Sequence, residues 1–194
     1  MADQDRARWD ERYRALADDA GAPPASFLTA LADRLPFPRS GVPPPRALDV
    51  AGGAGRNALW LAGRGFEVTL ADVSPVGLAR ARVRAQAAGV PLHLVEVDLE
   101  AGPLPAGPFD LIVQIDFLHR PLFATFPAAL APGGLLVVSH PTRRNLERHA
   151  HPGERFLLDD QRELRALAGG LEILCCEEGW CDDRHTARLL ARRP

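Results

Sequence analysis

The chain of 194 residues has no lysine: all 23 of its basic residues are arginine. Set beside its abundance of alanine, glycine and proline, this reads as a GC-rich coding bias rather than a functional mark. Arginine still matters locally, because its planar fork binds oxyanions well. Charge of one sign is also lacking. A formal net charge of −2 leaves no electrostatic footprint for nucleic acid or an anionic membrane. No apolar run approaches the roughly 20 residues of a membrane helix. The N-terminal stretch MADQDRARWDERYRALADD is too charged for a signal peptide, so a cytoplasmic protein is expected. Cysteine is scarce and late, at Cys175, Cys176 and Cys181. An odd number argues against a disulfide framework, and C-C-x4-C is not a familiar zinc spacing. His149 and His151 lack a third ligand, so no metal is expected and the thiols are read as buried on a strand.

What is present is ordinary for one globular domain: 46% hydrophobic and 25% charged residues. Residues 3 to 19 read as a helix with Trp9, Tyr13 and Leu16 on one side. A second helix is expected from Ser26, as its cap, to Leu35. The proline-rich LPFPRSGVPPPR then separates an N-terminal helical cap and connector, residues 1–45, from a main domain, residues 46–194. From Ala47 the chain alternates. RALDVA, FEVTLAD, PLHLVEVDL, FDLIVQID and LLVVSH read as strands. Helices are expected over GRNALWLAGRG, over SPVGLARARVRAQAAG with Ser74 as cap and Pro75 in its first turn, and in LFATFPAALAPGG. This rhythm predicts an α/β fold with a doubly wound, mostly parallel sheet and helices on both faces. LEILCCEEGW and RHTARLLARR are too close for a crossover helix, so they end the seven-stranded sheet as an antiparallel hairpin.

The stretch ALDVAGGAGRNALWLA joins the first strand to a helix through glycines. From Gly53 it satisfies the dinucleotide pattern G-x-G-x-x-A, through Gly53, Gly55 and Ala58. From Asp49 it is an acid followed by spaced glycines. A bend with no ligand is the third reading. Three features favour an adenosine cofactor without a pyrophosphate: Asp49 lies inside the strand, Asp72 ends the second strand with Asp98 ending the third, and the terminal hairpin is foreign to a simple dinucleotide domain.

Together these resemble the class I S-adenosylmethionine-dependent methyltransferases, which have a Rossmann-like fold. Over residues 45 to 194 the family motif D/E-x-G-x-G-x-G is matched by Asp49, Ala51, Gly53 and Gly55, with an extra glycine at Gly52. The resemblance implies that Asp72, followed by Val73, holds both ribose hydroxyls, since a carboxylate accepts two bonds side by side. It implies that Asp98 and Leu99 meet the adenine amino group and ring edge. Asn57 and Gln114 complete the expected cofactor set. Ala51 departs from the pattern, and alanine is expected there only if its φ is negative.

W-D-E-R-Y at Trp9 to Tyr13, with GRNALWLA, resembles the small bacterial tellurite-resistance and thiol methyltransferases. That implies an N-terminal helix closing over the cofactor, with Trp9 and Tyr13 lining the lid; core packing is the plainer reading of the same stripe. QIDFLHRPLF leaves the fourth strand at the end where the sulfonium methyl must sit. There His119 is expected as a general base and Arg120 as a clamp on an anionic small-molecule substrate. Arg143 and Arg144 follow the fifth strand on the same rim, where a solvated loop is the commoner explanation. The expected product is S-adenosylhomocysteine, and no membrane or nucleic-acid partner is expected. A non-catalytic cofactor-binding module and a nicotinamide-dependent oxidoreductase are the competing functions.

Overall fold

The computed structural model describes residues 2–15, 23–38, 40–151, 153–181 and 183–194. Leu16 and the end of the expected first helix lie outside them.

Seven strands form one sheet in the order β3-β2-β1-β4-β5-β7-β6. They are β1 (Arg46–Val50), β2 (Glu67–Asp72), β3 (His93–Glu96), β4 (Phe109–Ile115), β5 (Leu130–Pro141), β6 (Glu172–Cys181) and β7 (Arg184–Arg192). The first five pair in parallel, and β7 lies antiparallel between β5 and β6. The expected doubly wound sheet and terminal hairpin are both present. The strand order reverses between β1 and β4, and in such sheets ligands bind beyond the carboxyl ends at that switch.

Alternation along the strands builds two cores. Ala47, Val68, Leu70, Leu111, Val113 and Val137 face one side, where they meet α2 (Ser26–Ala30), α3 (Arg56–Ala62) and α4 (Pro75–Ala88). Leu48, Val50, Ile112, Leu136 and Val138 face the other. There they meet a 3-10 turn at Arg120–Thr125, α5 (Phe126–Ala129) and α6 (Gln161–Leu167). β1 and β4 are apolar on both faces because both are covered.

The α4 boundaries follow the expected signals. The Ser74 side chain accepts from Gly77 N–H, Pro75 opens the helix, and Gly89 ends it at φ 66°. Other expectations need correction. Ser26 is the first helical residue of α2, not its cap, and α2 stops at Ala30 before a 3-10 turn at Ala32–Arg34. β3 ends at Glu96, so Asp98 lies past the strand. Its Oδ1 accepts from Glu100 N–H, bending the chain away as Asp side chains do in turns. Pro132-Gly133-Gly134 does not terminate α5 but sits inside β5. The register steps there from Phe109↔Leu130 to Leu111↔Leu135, which leaves the three residues as a bulge. α6 was not expected, although Asp160 caps it by accepting from the N–H groups of Arg162 and Glu163. The three cysteines are only half-buried, on edge strand β6.

Candidate functional site

The turn after β1 is left-handed at three alternate positions: Ala51 (φ 52°), Gly53 (φ 55°) and Gly55 (φ 82°). Ala51 therefore fails the condition placed on it: it sits in the region that glycine favours, at a cost of roughly 1–2 kcal/mol for an L-residue. The turn is pinned by Gly52 N–H to Ala71 O at 3.2 Å and Gly55 N–H to Gly52 O at 2.9 Å. A Cβ on Gly52 would lie 2.6 Å from Asp49 Oδ2, so glycine is demanded at that place by its neighbour.

Asp49 is 1% exposed and accepts from Ala58 N–H, in the first turn of α3, at 3.0 Å. Burial pushes its carboxyl up to about 7; the Ala58 bond and the nearby Arg56 charge oppose that rise. Asp72 is also buried. Its Oδ2 accepts from Gly53 N–H and its Oδ1 from Ser74 N–H, both at 2.8 Å. Burial raises its carboxyl as well, against those backbone bonds. A carboxylate has about four acceptor positions, so roughly two stay available for hydroxyls.

Over this turn lies α1 (Ala2–Ala15). Asp10 Oδ1 accepts from Ser74 Oγ at 2.5 Å and Arg6 pairs with Glu96 at 3.0 Å. Tyr13 rests in the cradle itself: a Cβ on Gly53 would collide with its hydroxyl, and one on Gly77 would lie 2.9 Å from its Cε2. Burial, then the Asp72 charge, raises the Tyr13 phenol well above its usual range. Trp9 stacks on Tyr13 with ring centroids 6.0 Å apart.

Other expected residues are less directly placed. Val73 is half-buried between Asp72 and Ser74. Asn57 Oδ1 accepts from Ala25 N–H at 3.0 Å, tying α3 to the start of α2. Leu99 is 4% exposed and packs in the core cluster of Leu48 and Ile112. Arg120 Nε donates to Glu163 Oε1 at 2.5 Å and its Nη2 to Leu157 O at 3.0 Å, so its fork is already engaged. His119 occupies the cap position of the 3-10 turn without a side-chain capping bond. Arg143 pairs with Asp159 at 2.5 Å and Arg144 with Glu147 at 2.9 Å. His149 Nε2 lies 2.6 Å from Asp183 O. Among the described residues no three His, Cys, Asp or Glu converge as metal ligands.

The carboxyl ends of β4 and β5 carry the expected Gln114 together with two groups that the sequence reading did not single out, Asp116 and His140. Asp116, at φ 62°, accepts from Arg56 at 3.1 Å and Arg184 at 2.9 Å, joining α3, β4 and β7. Gln114 is fully buried; its Nε2 donates to Phe117 O at 2.8 Å, while its Oε1 has no partner among the described residues. His140 is 4% exposed, with Nε2 2.6 Å from Phe156 O and Nδ1 likewise unpartnered among the described residues. Burial pushes its imidazole down to about 4. The available signal was alternation: in L-L-V-V-S-H, His140 follows Leu136 and Val138 on an inward face.

This sheet order, with a glycine turn after β1 and acids ending β1 and β2, is the Rossmann-like fold of the class I methyltransferases. Residues 47–134 match the family model described as a methyltransferase domain. It is 45% identical over 104 residues to a demethylmenaquinone methyltransferase of Thermus thermophilus, an alignment covering 49% of this chain and 46% of that protein. It is 35% identical over 127 residues to a release factor glutamine methyltransferase of Deinococcus radiodurans, covering 48% of this chain and 45% of that one. The chain thus spans about half the length of these curated relatives. Among solved structures, magnesium protoporphyrin IX methyltransferase of Synechocystis with bound S-adenosylhomocysteine superposes with a TM-score of 0.72 at 16% identity, covering 100% of this chain and 99% of that one. The [4+2]-cyclase SpnF superposes with a TM-score of 0.75 at 23% identity, covering 100% and 96%. No helix among the described residues is long and apolar enough to cross a membrane.

Proposed function

We propose that this protein transfers a methyl group from S-adenosylmethionine to a small-molecule nucleophile. One observation carries the reading. Asp49 and Asp72 flank a left-handed glycine turn at the switch point, both buried, and Asp72 has acceptor capacity to spare.

The residues fit such a cofactor. Gly53 and Gly77 make a cradle with no side chain of its own, filled at present by the ring and hydroxyl of Tyr13. The bound cofactor would supply a methyl group on an excellent leaving group. The chain's residues would then mainly align and dry the reaction, and alignment alone is worth roughly 7–11 kcal/mol. Asp72 would accept the ribose hydroxyls. Asp49, with Ala51, Gly52, Gly53 and Gly55 around it, would face the cofactor's cationic part. Asp98 would meet the adenine. Trp9 and Tyr13 would close the lid, which requires the Tyr13 hydroxyl to leave the cradle. Gln114 would lie beside the reacting methyl. His119 would reach the substrate from the rim, and Arg120, held by Glu163, would fix the 3-10 turn that carries it.

Titration calorimetry with S-adenosylhomocysteine tests the reading: binding at micromolar concentration is expected, and none at high micromolar ligand would sink it. A second reading, a cofactor-binding module without transferase activity, is favoured by the Tyr13 ring in the cradle. Tight binding with no label passing from methyl-labelled cofactor to small-molecule, protein or RNA pools would select it.

A further inference from the structure

Two buried acceptors lie on one face of the sheet, on neighbouring strands and two residues apart in register. β4 and β5 pair in parallel with Gln114 opposite Val138, two residues before His140. Ile112 and Val138 face the same core, so Gln114 and His140 continue that face to its carboxyl end. Phe117 O can only accept, so the Gln114 nitrogen points to it and Oε1 is the free end. Phe156 O likewise fixes the hydrogen on His140 Nε2 and leaves the Nδ1 lone pair open. Among the described residues neither Gln114 Oε1 nor His140 Nδ1 has a donor. An unanswered buried polar atom costs about 1–3 kcal/mol, and here two of the same polarity occur together.

Resting on the methyl-transfer reading, we propose that Gln114 Oε1 and His140 Nδ1 receive the hydrogens of the methyl acceptor, which is therefore an uncharged hydroxyl or amine. A thiolate or a chalcogen oxyanion has no hydrogen to offer and would face two lone pairs. The charged groups around His140 do not reverse this. Asp116 at the end of β4 favours the imidazolium, Arg184 on β7 and Arg120 on the 3-10 turn oppose it, and burial outweighs them. His140 Nδ1 takes the proton from a hydroxyl as the carbon–oxygen bond forms and the carbon–sulfur bond breaks with its pair on sulfur. A weak base is enough, because an O-methylated oxonium is strongly acidic. With an amine, the two acceptors hold the N–H bonds and aim the lone pair.

Nitrogen-resolved NMR of the full chain, saturated with S-adenosylhomocysteine, tests this with catechol, aniline, 4-nitrothiophenol (a thiol without a hydroxyl, ionised at neutral pH) and sodium tellurite as probes. His140 Nδ1 should be unprotonated at neutral pH and should shift with catechol or aniline, but not with the thiol or tellurite. His140→Phe should weaken that probe about tenfold, the worth of one such bond plus its buried partner. His140→Gln, which keeps a donor for Phe156 O and an acceptor, should restore binding to within about threefold. Should His140→Phe fail to fold, Gln114→Leu is read in the same way. Cofactor-product affinity should stay within about twofold in the His140 variants. A protonated Nδ1, silence toward both hydroxyl and amine, a response to thiol or tellurite, or unchanged probe affinity in the variants would each overturn the proposal. S-adenosylhomocysteine binding with a silent His140 removes this inference alone; no S-adenosylhomocysteine binding removes the methyl-transfer reading with it.

Discussion

The carboxyl edge of the sheet has two halves built on different plans. At β1 and β2 the polar side chains are answered from within by backbone: Asp49 by Ala58 N–H, Asp72 by the N–H groups of Gly53 and Ser74, Ser74 in turn by Gly77. At β4 and β5 the polar side chains lie just as deep, yet Gln114 Oε1 and His140 Nδ1 are left open among the described residues. The first half is complete as a folding unit. The second leaves two acceptors open. Each half carries one non-glycine residue with φ near 60°, Ala51 and Asp116, and such strain gathers at functional sites.

The largest expected effect breaks the closed half. Asp72→Ala strands two buried N–H donors that now bond a carboxylate, so it should lower folding stability by about 3–6 kcal/mol, at roughly 1.5–3 per charged bond. Asp72→Asn keeps one acceptor oxygen and should cost about half of that. Cofactor-product affinity should fall by about 1.5–3 kcal/mol in whichever variant folds. Denaturant melts and calorimetry measure the two quantities separately. Unchanged affinity in a folded variant would mean that the ribose lies elsewhere, and the contrast between the halves would lose its functional meaning.

The difference between the halves also explains what could be read in the sequence. Backbone-built features leave spacing behind. The glycines at alternate positions, the strand-ending Asp72, Ser74-Pro75 before α4 and the short link between β6 and β7 each follow from local geometry, and each stands in the structure. Features built by side chains from distant segments leave little. His140 is answered by Phe156, 16 positions away, and Arg120 by Glu163, 43 positions away. No local pattern links those pairs. The sequence reading therefore set His119 and Arg120 forward as exposed chemistry and passed over His140 as the end of a strand. Asp98 shows a third kind of limit: strand pattern continues through V-E-V-D-L, but a side-chain turn cuts the strand two residues early.

A second prediction follows the charge of Asp49. Its carboxyl is raised to about 7 by burial, above the ordinary value that it regains on unfolding. The folded state then binds more protons between about pH 4 and 7, so stability is full below that window and falls as pH rises through it. The loss across the window should be on the order of 4 kcal/mol, and Asp49→Asn should flatten it. Melts at successive pH values measure this. A cationic cofactor beside Asp49 would favour its charged form, so binding near pH 6 should release a proton. Calorimetry in buffers of different ionisation enthalpy reads that release, and proton uptake would contradict it.

Ser74→Ala should cost less, about 1–2 kcal/mol, because it removes the cap of α4 and also a partner of Asp10 in α1. The second loss is the informative one. If α1 is held down chiefly by that bond, the variant should open the cradle and raise the rate of cofactor-product association. Stopped-flow association compared with the melt would separate a loosened lid from a weakened helix; an unchanged rate would place the hold in the Tyr13 and Trp9 rings instead.

The smallest effect sharpens the comparison most directly, because one kind of substitution can be made on both halves. Ala51→Gly releases a left-handed alanine, worth roughly 1–2 kcal/mol, but adds unfolded-chain entropy of about 0.4–1 kcal/mol and removes a partly packed methyl. The net should be a gain of about 0.5 kcal/mol, with cofactor-product affinity unchanged, since the turn is pinned through Gly52 N–H rather than through the Ala51 side chain. Asp116→Gly relieves the same kind of backbone strain, yet it removes the carboxylate that joins Arg56 of α3 to Arg184 of β7. It should therefore destabilise, by up to about 1 kcal/mol for partly exposed pairs. Opposite signs from the two variants, measured by matched denaturant melts, are what a backbone-built half and a side-chain-built half require. Equal signs would mean that Asp116 bridges nothing of consequence and that the two halves differ only in their open acceptors.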